Sequence, residues 1–191
     1  MHPEAESTSM TAPQPDGPLL GVLGGMGPMA SAWFMVRLAE LKRAAKDQDH
    51  VPTVLWSDPR VPDRTAAYLG QGPDPWPWLA HGLQSLVRAG ATAIAMPCNT
   101  AHLWHARLAQ LAPVRVFHIV EAAIDDLGRQ GIRGGRIGLL GTQATVQSGL
   151  YQQALKGSGY ECVLPSAEEH ARWCAPAISR VKANQIDAAR G

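Results

Sequence analysis

One of the chain's three cysteines, Cys98, stands where a sequence can do chemistry. Residues 91–96 form a short apolar run of strand character, and residues 101–111 carry the apolar spacing of a helix about three turns long. A thiol at such a junction meets free backbone N–H groups, whose partial positive charge favours a thiolate. A thiolate is a usable base or nucleophile. The competing reading is an inert core cysteine, since free cysteines are often buried. Asn99 and Thr100 weigh against it, because a packing residue does not need polar neighbours. Cys162 falls within an expected strand and Cys174 within an expected helix, and both read as packing residues.

Two other chemistries compete for the same residues. Cys98, His102 and His105 fall at i, i+4 and i+7, on one helix face. Three ligands along one helix do not usually converge on a single ion, so no metal is expected. Gly25-Met26-Gly27-Pro28-Met29-Ala30 matches the G-x-G-x-x-A pattern of a nucleotide-binding turn. The acidic residue that would hold a ribose is a poor match, because Asp58 comes late and precedes Pro59. Trp76 and Trp78, in a Pro-rich loop, read as packing rather than as a stacking platform.

The elements that must position Cys98 follow a regular alternation. Strands are expected at residues 19–23, 53–56, 91–96 and 114–120, and again at 136–140 and 160–164. Helices are expected at 28–46, up to about 89, at 101–111, through 130, at 144–156 and largely through 167–182. Alternating strand and helix imply an α/β fold with parallel sheets flanked by helices. The turns at 24–26 and 141–143 each end the first strand of a half. The chain therefore reads as a loose tail (1–18), a first α/β domain (19–119) and a second, truncated α/β domain (120–191). Open parallel sheets bind ligands at the carboxyl ends of their strands. Gly25-Met26, Asp58 to Arg64, Cys98 to Thr100 and Thr142 all fall at such ends, so they should meet in one cleft.

The bulk composition narrows the partners. Apolar residues make up 46% of the 191 and charged residues 17%, enough for a buried core and unlike a disordered chain. The net charge of +1 comes without a basic block, which speaks against nucleic acid and against a polybasic membrane anchor. No segment is apolar for long enough to cross a membrane, the first residues lack a secretory pattern, and cysteine is sparse. A soluble cytoplasmic protein is the expectation.

Several segments together resemble the aspartate/glutamate racemase family. They are Gly21-Val22-Leu23-Gly24-Gly25-Met26-Gly27-Pro28-Met29-Ala30, Val61-Pro62-Asp63-Arg64-Thr65, Met96-Pro97-Cys98-Asn99-Thr100-Ala101-His102, Gly138-Leu139-Leu140-Gly141-Thr142 and the neighbourhood of Lys182. The resemblance runs from about residue 19 to the end, in the family's order. It implies racemisation of aspartate or glutamate with no cofactor, by a cysteine on each face of the α-carbon. It makes Cys98 the first catalytic thiol, with Asn99, Thr100 and Ala101 as donors to the substrate carboxylate. Met26, Thr65 and Thr142 are the further substrate contacts, and Arg64 and Lys182 the cationic ones. Read alone, these last two would be an exposed loop arginine and a solvated helix lysine. The family's second cysteine lies in a Gly-Cys-Thr-Glu-like motif after the Lys182 position, and the sequence up to Gly191 has no such motif. The reading is therefore an acidic-amino-acid racemase with an incomplete second half and impaired activity. A non-catalytic pseudoenzyme or small-acid binder is the alternative, and a homodimer is compatible with either.

Overall fold

Glycines let the first strand of the molecule be approached closely from both sides. The computed structural model describes residues 17–185; most of the expected tail, residues 1–16, lies outside the described residues, as do 186–191. Strand β1 (Leu20–Gly24) pairs in parallel with β2 (Thr53–Ser57) and β3 (Ala93–Ala95), and β4 (Arg115–Val116) pairs with β3. The sheet order is β2-β1-β3-β4, with Leu20 opposite both Thr53 and Ala93. Its crossovers are α1 (Pro28–Lys42), α2 (Arg64–Tyr68), α3 (Trp76–Arg88) and α4 (His105–Leu111).

Helix α3 supplies much of the core. Leu79, Leu83 and Leu86 follow the i, i+4, i+7 spacing of one face and are at most 1% exposed. Burying each contributes about 2 kcal/mol before the entropic cost of ordering it. The helix can settle this close because of Gly82: a Cβ there would lie 2.6 Å from Leu23 Cδ1.

A second, two-stranded parallel sheet joins β5 (Gly135–Gly138) to β6 (Tyr160–Val163). Helix α5 (Ile119–Arg129) leads into it, α6 (Gln143–Gln147) and α7 (Leu150–Gly157) cross over, and α8 (Ala167–Glu169) starts the last helical stretch. That stretch passes through a π-helical turn (His170–Cys174) into α9 (Ala175–Lys182). The α/β architecture read from the alternation is thus present. No helix among the described residues is long and apolar enough to cross a membrane.

Three expected elements differ, each for a local reason. The helix expected over 101–111 opens as a 3-10 turn (Thr100–Trp104), with His102 N–H donating to Asn99 O, before α4 begins. The strand expected over 114–120 stops at Val116, because His118 caps α5 by accepting the Val120 N–H. The helix expected over 144–156 breaks at Ser148-Gly149, where Gly149 takes φ +77, a conformation that costs other residues far more.

Candidate active site

The loops after β1, β2 and β3 leave the sheet on one side, as parallel pairing requires. Gly25 has φ +88, and a Cβ there would lie 2.3 Å from the Asp58 backbone N, so the first two loops touch. Asp58 is buried and accepts from the backbone N, Nε and Nη2 of Arg60 at 3.0, 2.8 and 2.9 Å. The Arg60 bonds hold the Asp58 carboxyl below the usual carboxylate range, against the opposing effect of burial. This clasp fixes the start of the loop that delivers Arg64.

Arg64 is not an exposed loop arginine; it is 8% exposed. Its Nη1 donates to Val61 O and Pro62 O, both at 2.9 Å, while its buried Nε finds no partner among the described residues. Asp63 caps α2 by accepting from Thr65 N and Ala66 N at 2.9 and 2.8 Å. Its other oxygen meets Lys182 Nζ at 3.4 Å, which ties α9 to α2. Burial pushes the Asp63 carboxyl up, but the Ala66 amide, Lys182 and Arg64 together bring it below its ordinary value.

Cys98 follows β3 with its N–H on Met96 O at 2.8 Å, and it is 9% exposed. Asn99 Oδ1 accepts from Tyr151 OH at 2.5 Å, and burial pushes that phenol up. Thr100 Oγ1 contacts Thr142 Oγ1 at 2.8 Å and Thr145 Oγ1 at 3.2 Å, and the last two are 3.0 Å apart. Thr142 also caps α6 by accepting the Thr145 N–H. Three hydroxyls therefore link the Cys98 loop to the loop after β5.

These segments enclose a cavity of about 620 Å³. It is lined by Met26, Arg64, Thr65, Cys98, Asn99, Thr100, Thr142 and Lys182, eight of the nine site residues expected from sequence. The ninth, Ala101, is fully buried in the core beneath the cavity and does not line it. Asp63, Thr145, Trp173 and Cys174 are among the other lining residues and were not foreseen as site residues. Asp63 and the Thr142-to-Thr145 spacing carry helix-capping signals that could have pointed to two of them. Cys174 and Trp173 carry none: the π-helical turn aims them into the cavity, where Cys174 had been read as packing. His170 Nε2–H anchors that turn on Gly141 O at 2.9 Å.

The residues of the metal reading are engaged otherwise. His102 Nδ1 lies 2.8 Å from Cys98 O and its Nε2 accepts the Ile119 N–H at 3.0 Å, so both ring nitrogens are spent on backbone. His105 Nε2–H donates to Val116 O at 3.0 Å.

With this geometry in place, comparison with known proteins decides the family. The Asp/Glu/hydantoin racemase family model matches residues 23–191. The chain belongs to that family. It is 31% identical over 152 residues to the broad specificity amino-acid racemase RacX of Bacillus subtilis (strain 168), covering 76% of this chain and 63% of that protein. It is 32% identical over 138 residues to the glutamate racemase of Corynebacterium diphtheriae, covering 64% and 48%. The chain therefore spans less than two thirds of the length of these relatives. Among solved structures, the Picrophilus torridus aspartate racemase superposes with a TM-score of 0.78 at 32% identity, covering 91% of this chain and 72% of that one. The Campylobacter jejuni glutamate racemase shares the fold, with a TM-score of 0.58 at 14% identity.

Proposed function

We propose that this cleft racemises an acidic amino acid without a cofactor, with Cys98 as the base on one face of the α-carbon. The observation that carries the reading is the convergence of Cys98, Arg64 and the threonine hydroxyls from three separate loops on one cavity. The thiolate would take the α-proton: the C–H bond breaks, an S–H bond forms, and the electron pair spreads into the substrate carboxylate. That carbanion is costly, so fixed donors must meet the charge as it develops. Thr100 and Asn99 are placed beside the thiol to do so. Arg64 supports an acidic substrate, because its guanidinium is a buried cation in the lining of the cavity. Lys182 is the weaker cation, sharing its charge with Asp63.

Inversion needs a proton delivered to the opposite face. Within the described residues, Cys174 is the second thiol lining the cavity and the group to test there. We further propose that residues 19–119 and 120–191 form the two halves that meet at this cleft, joined by the Thr100 and Thr142 hydroxyls.

The test is NMR exchange of the α-proton in D₂O for each enantiomer of aspartate and glutamate, with chiral chromatography alongside. Deuterium entering one enantiomer without inversion supports a base on one face and activity impaired at the other. Inversion abolished by Cys98→Ser or by Cys174→Ser assigns the two faces. Protection of Cys98 by aspartate with no exchange at all would replace catalysis by binding alone.

A further inference from the structure

His102 lies behind the cleft, 3% exposed, stacked on His105 with ring centroids 5.6 Å apart and edge-on to His118 at 5.1 Å. Its hydrogen bonds define its tautomer. The Ile119 N–H donates to Nε2, so Nε2 carries no proton. In the neutral ring the proton then sits on Nδ1 and is donated to the Cys98 carbonyl at 2.8 Å. Burial pushes His102 down to about 4, against the Cys98 bond and with the help of His118 and His105, so the ring stays neutral near pH 7.

The Cys98 carbonyl and the Asn99 amide belong to one planar trans peptide and point in opposite directions. Holding the carbonyl on His102 therefore turns the Asn99 N–H away from the histidines. Cys98 and Asn99 line the cleft and His102 does not, so this peptide stands between the two. We infer that His102 is a positioning residue, which locks the Cys98–Asn99 peptide so that its N–H, not its carbonyl, accompanies the thiol into the cleft. Released from His102, the peptide could turn its carbonyl towards a thiolate or a substrate carboxylate and repel either one. The consequence for turnover rests on Cys98 being the base; the effect on the thiol does not.

The two bonds of His102 can be separated by substitution. In His102→Asn the amide nitrogen falls near the Nδ1 position and keeps a donor for the Cys98 carbonyl. In His102→Gln the amide reaches the Nε2 position and keeps an acceptor for the Ile119 N–H. The measurement is the alkylation rate of Cys98 by iodoacetamide in folded protein at pH 7, mapped by mass spectrometry, with Tm recorded in parallel. His102→Gln should slow Cys98 about tenfold, the scale of one hydrogen bond to a charged group. His102→Asn should restore the rate to within about twofold while Tm falls in both, because each variant gives up one buried bond. Rescue by Gln and not Asn, wild-type rates in both, or rates that merely follow Tm would overturn the proposal. Independently of any variant, ¹⁵N-correlated NMR of the wild-type ring must show the Nδ1–H tautomer, and an Nε2–H tautomer would also overturn it. An alkylation effect without isotope exchange would remove the racemisation reading and leave this one standing.

Discussion

Acidification should begin to weaken the folded chain at His102 before the carboxylates titrate. An unfolded histidine takes its proton near 6.5, whereas the buried His102 ring stays neutral down to about 4. Between those values the unfolded state binds more protons than the folded one, so stability falls as pH falls. The contribution is complete above pH 6.5, is lost progressively down to about 4, and changes no further below it. At about 1.4 kcal/mol per tenfold change in proton affinity, the loss between pH 7.5 and 4.5 is roughly 2 to 3 kcal/mol. That is a large share of the roughly 5 to 15 kcal/mol that holds a typical domain together.

Neighbouring groups act with known sign. Burial and His105 lower His118 as well, against the raising effect of Glu121, so His118 adds to the same slope. The Asp58, Asp63 and Glu169 carboxyls are also held low, but their stabilisation fades only as the pH falls through the carboxylate range. Urea unfolding followed by tryptophan fluorescence at pH 7.5, 6.5 and 5.5 isolates the histidine part of the slope, and pH 4.5 adds the onset of carboxylate titration. His102→Asn should be less stable than wild type at pH 7.5 and should lose less on acidification. An unchanged pH slope in His102→Asn would refute the reasoning, since the slope would then come from other groups.

Three further outcomes are expected. Iodoacetamide at neutral pH should label Cys98 ahead of Cys162, whose thiol burial pushes up, and aspartate should slow the labelling; preferential labelling of Cys162 by mass spectrometry would count against the site. Arg64→Lys should lower kcat/KM, or binding where turnover is absent, for aspartate relative to a neutral amino acid, because lysine keeps the charge but loses the guanidinium edge. Leu83→Ala should cost about 2 to 5 kcal/mol in urea unfolding, since Leu83 is 1% exposed and the site has little room to collapse; a loss under 1 kcal/mol would show that α3 repacks.

What the sequence revealed and what it hid divide along one physical line. Cys98, Arg64 and Thr142 were legible because their positions follow from chain direction: each comes after a strand, and parallel strands share an exit side. Cys174 and Trp173 were not, because a π-helical turn changes which face a helical residue presents, and nothing local to residues 170–174 announces it. Ala101 is set apart from its motif neighbours, since it lies fully buried in the core within the 3-10 turn. The histidine cluster was half visible: spacing places His102 and His105 on one face, but His118 joins them only because α4 and β4 bring the chain back. Gly149 broke a helix that apolar periodicity alone would have continued.

The three threonines explain why the site depends on both sheets. A closed set of three hydroxyl contacts uses three protons, one from each of Thr100, Thr142 and Thr145, and so satisfies groups that are buried or nearly so. Under the proposed function, a substrate carboxylate beside Cys98 would accept a hydrogen bond from one of these hydroxyls. Thr142 and Thr145 bond each other within one segment, whereas both hydroxyl partners of Thr100 come from across the cleft. Packing of the Thr142 loop against the Cys98 loop is therefore coupled to building the polar end of the cleft. The Tyr151–Asn99 bond is a second tie, and the solvent-exposed Lys182–Asp63 pair is a third and correspondingly weaker one. The hydroxyl cluster joins the Cys98 loop directly to the Thr142 loop, whereas the ion pair joins α9 to α2.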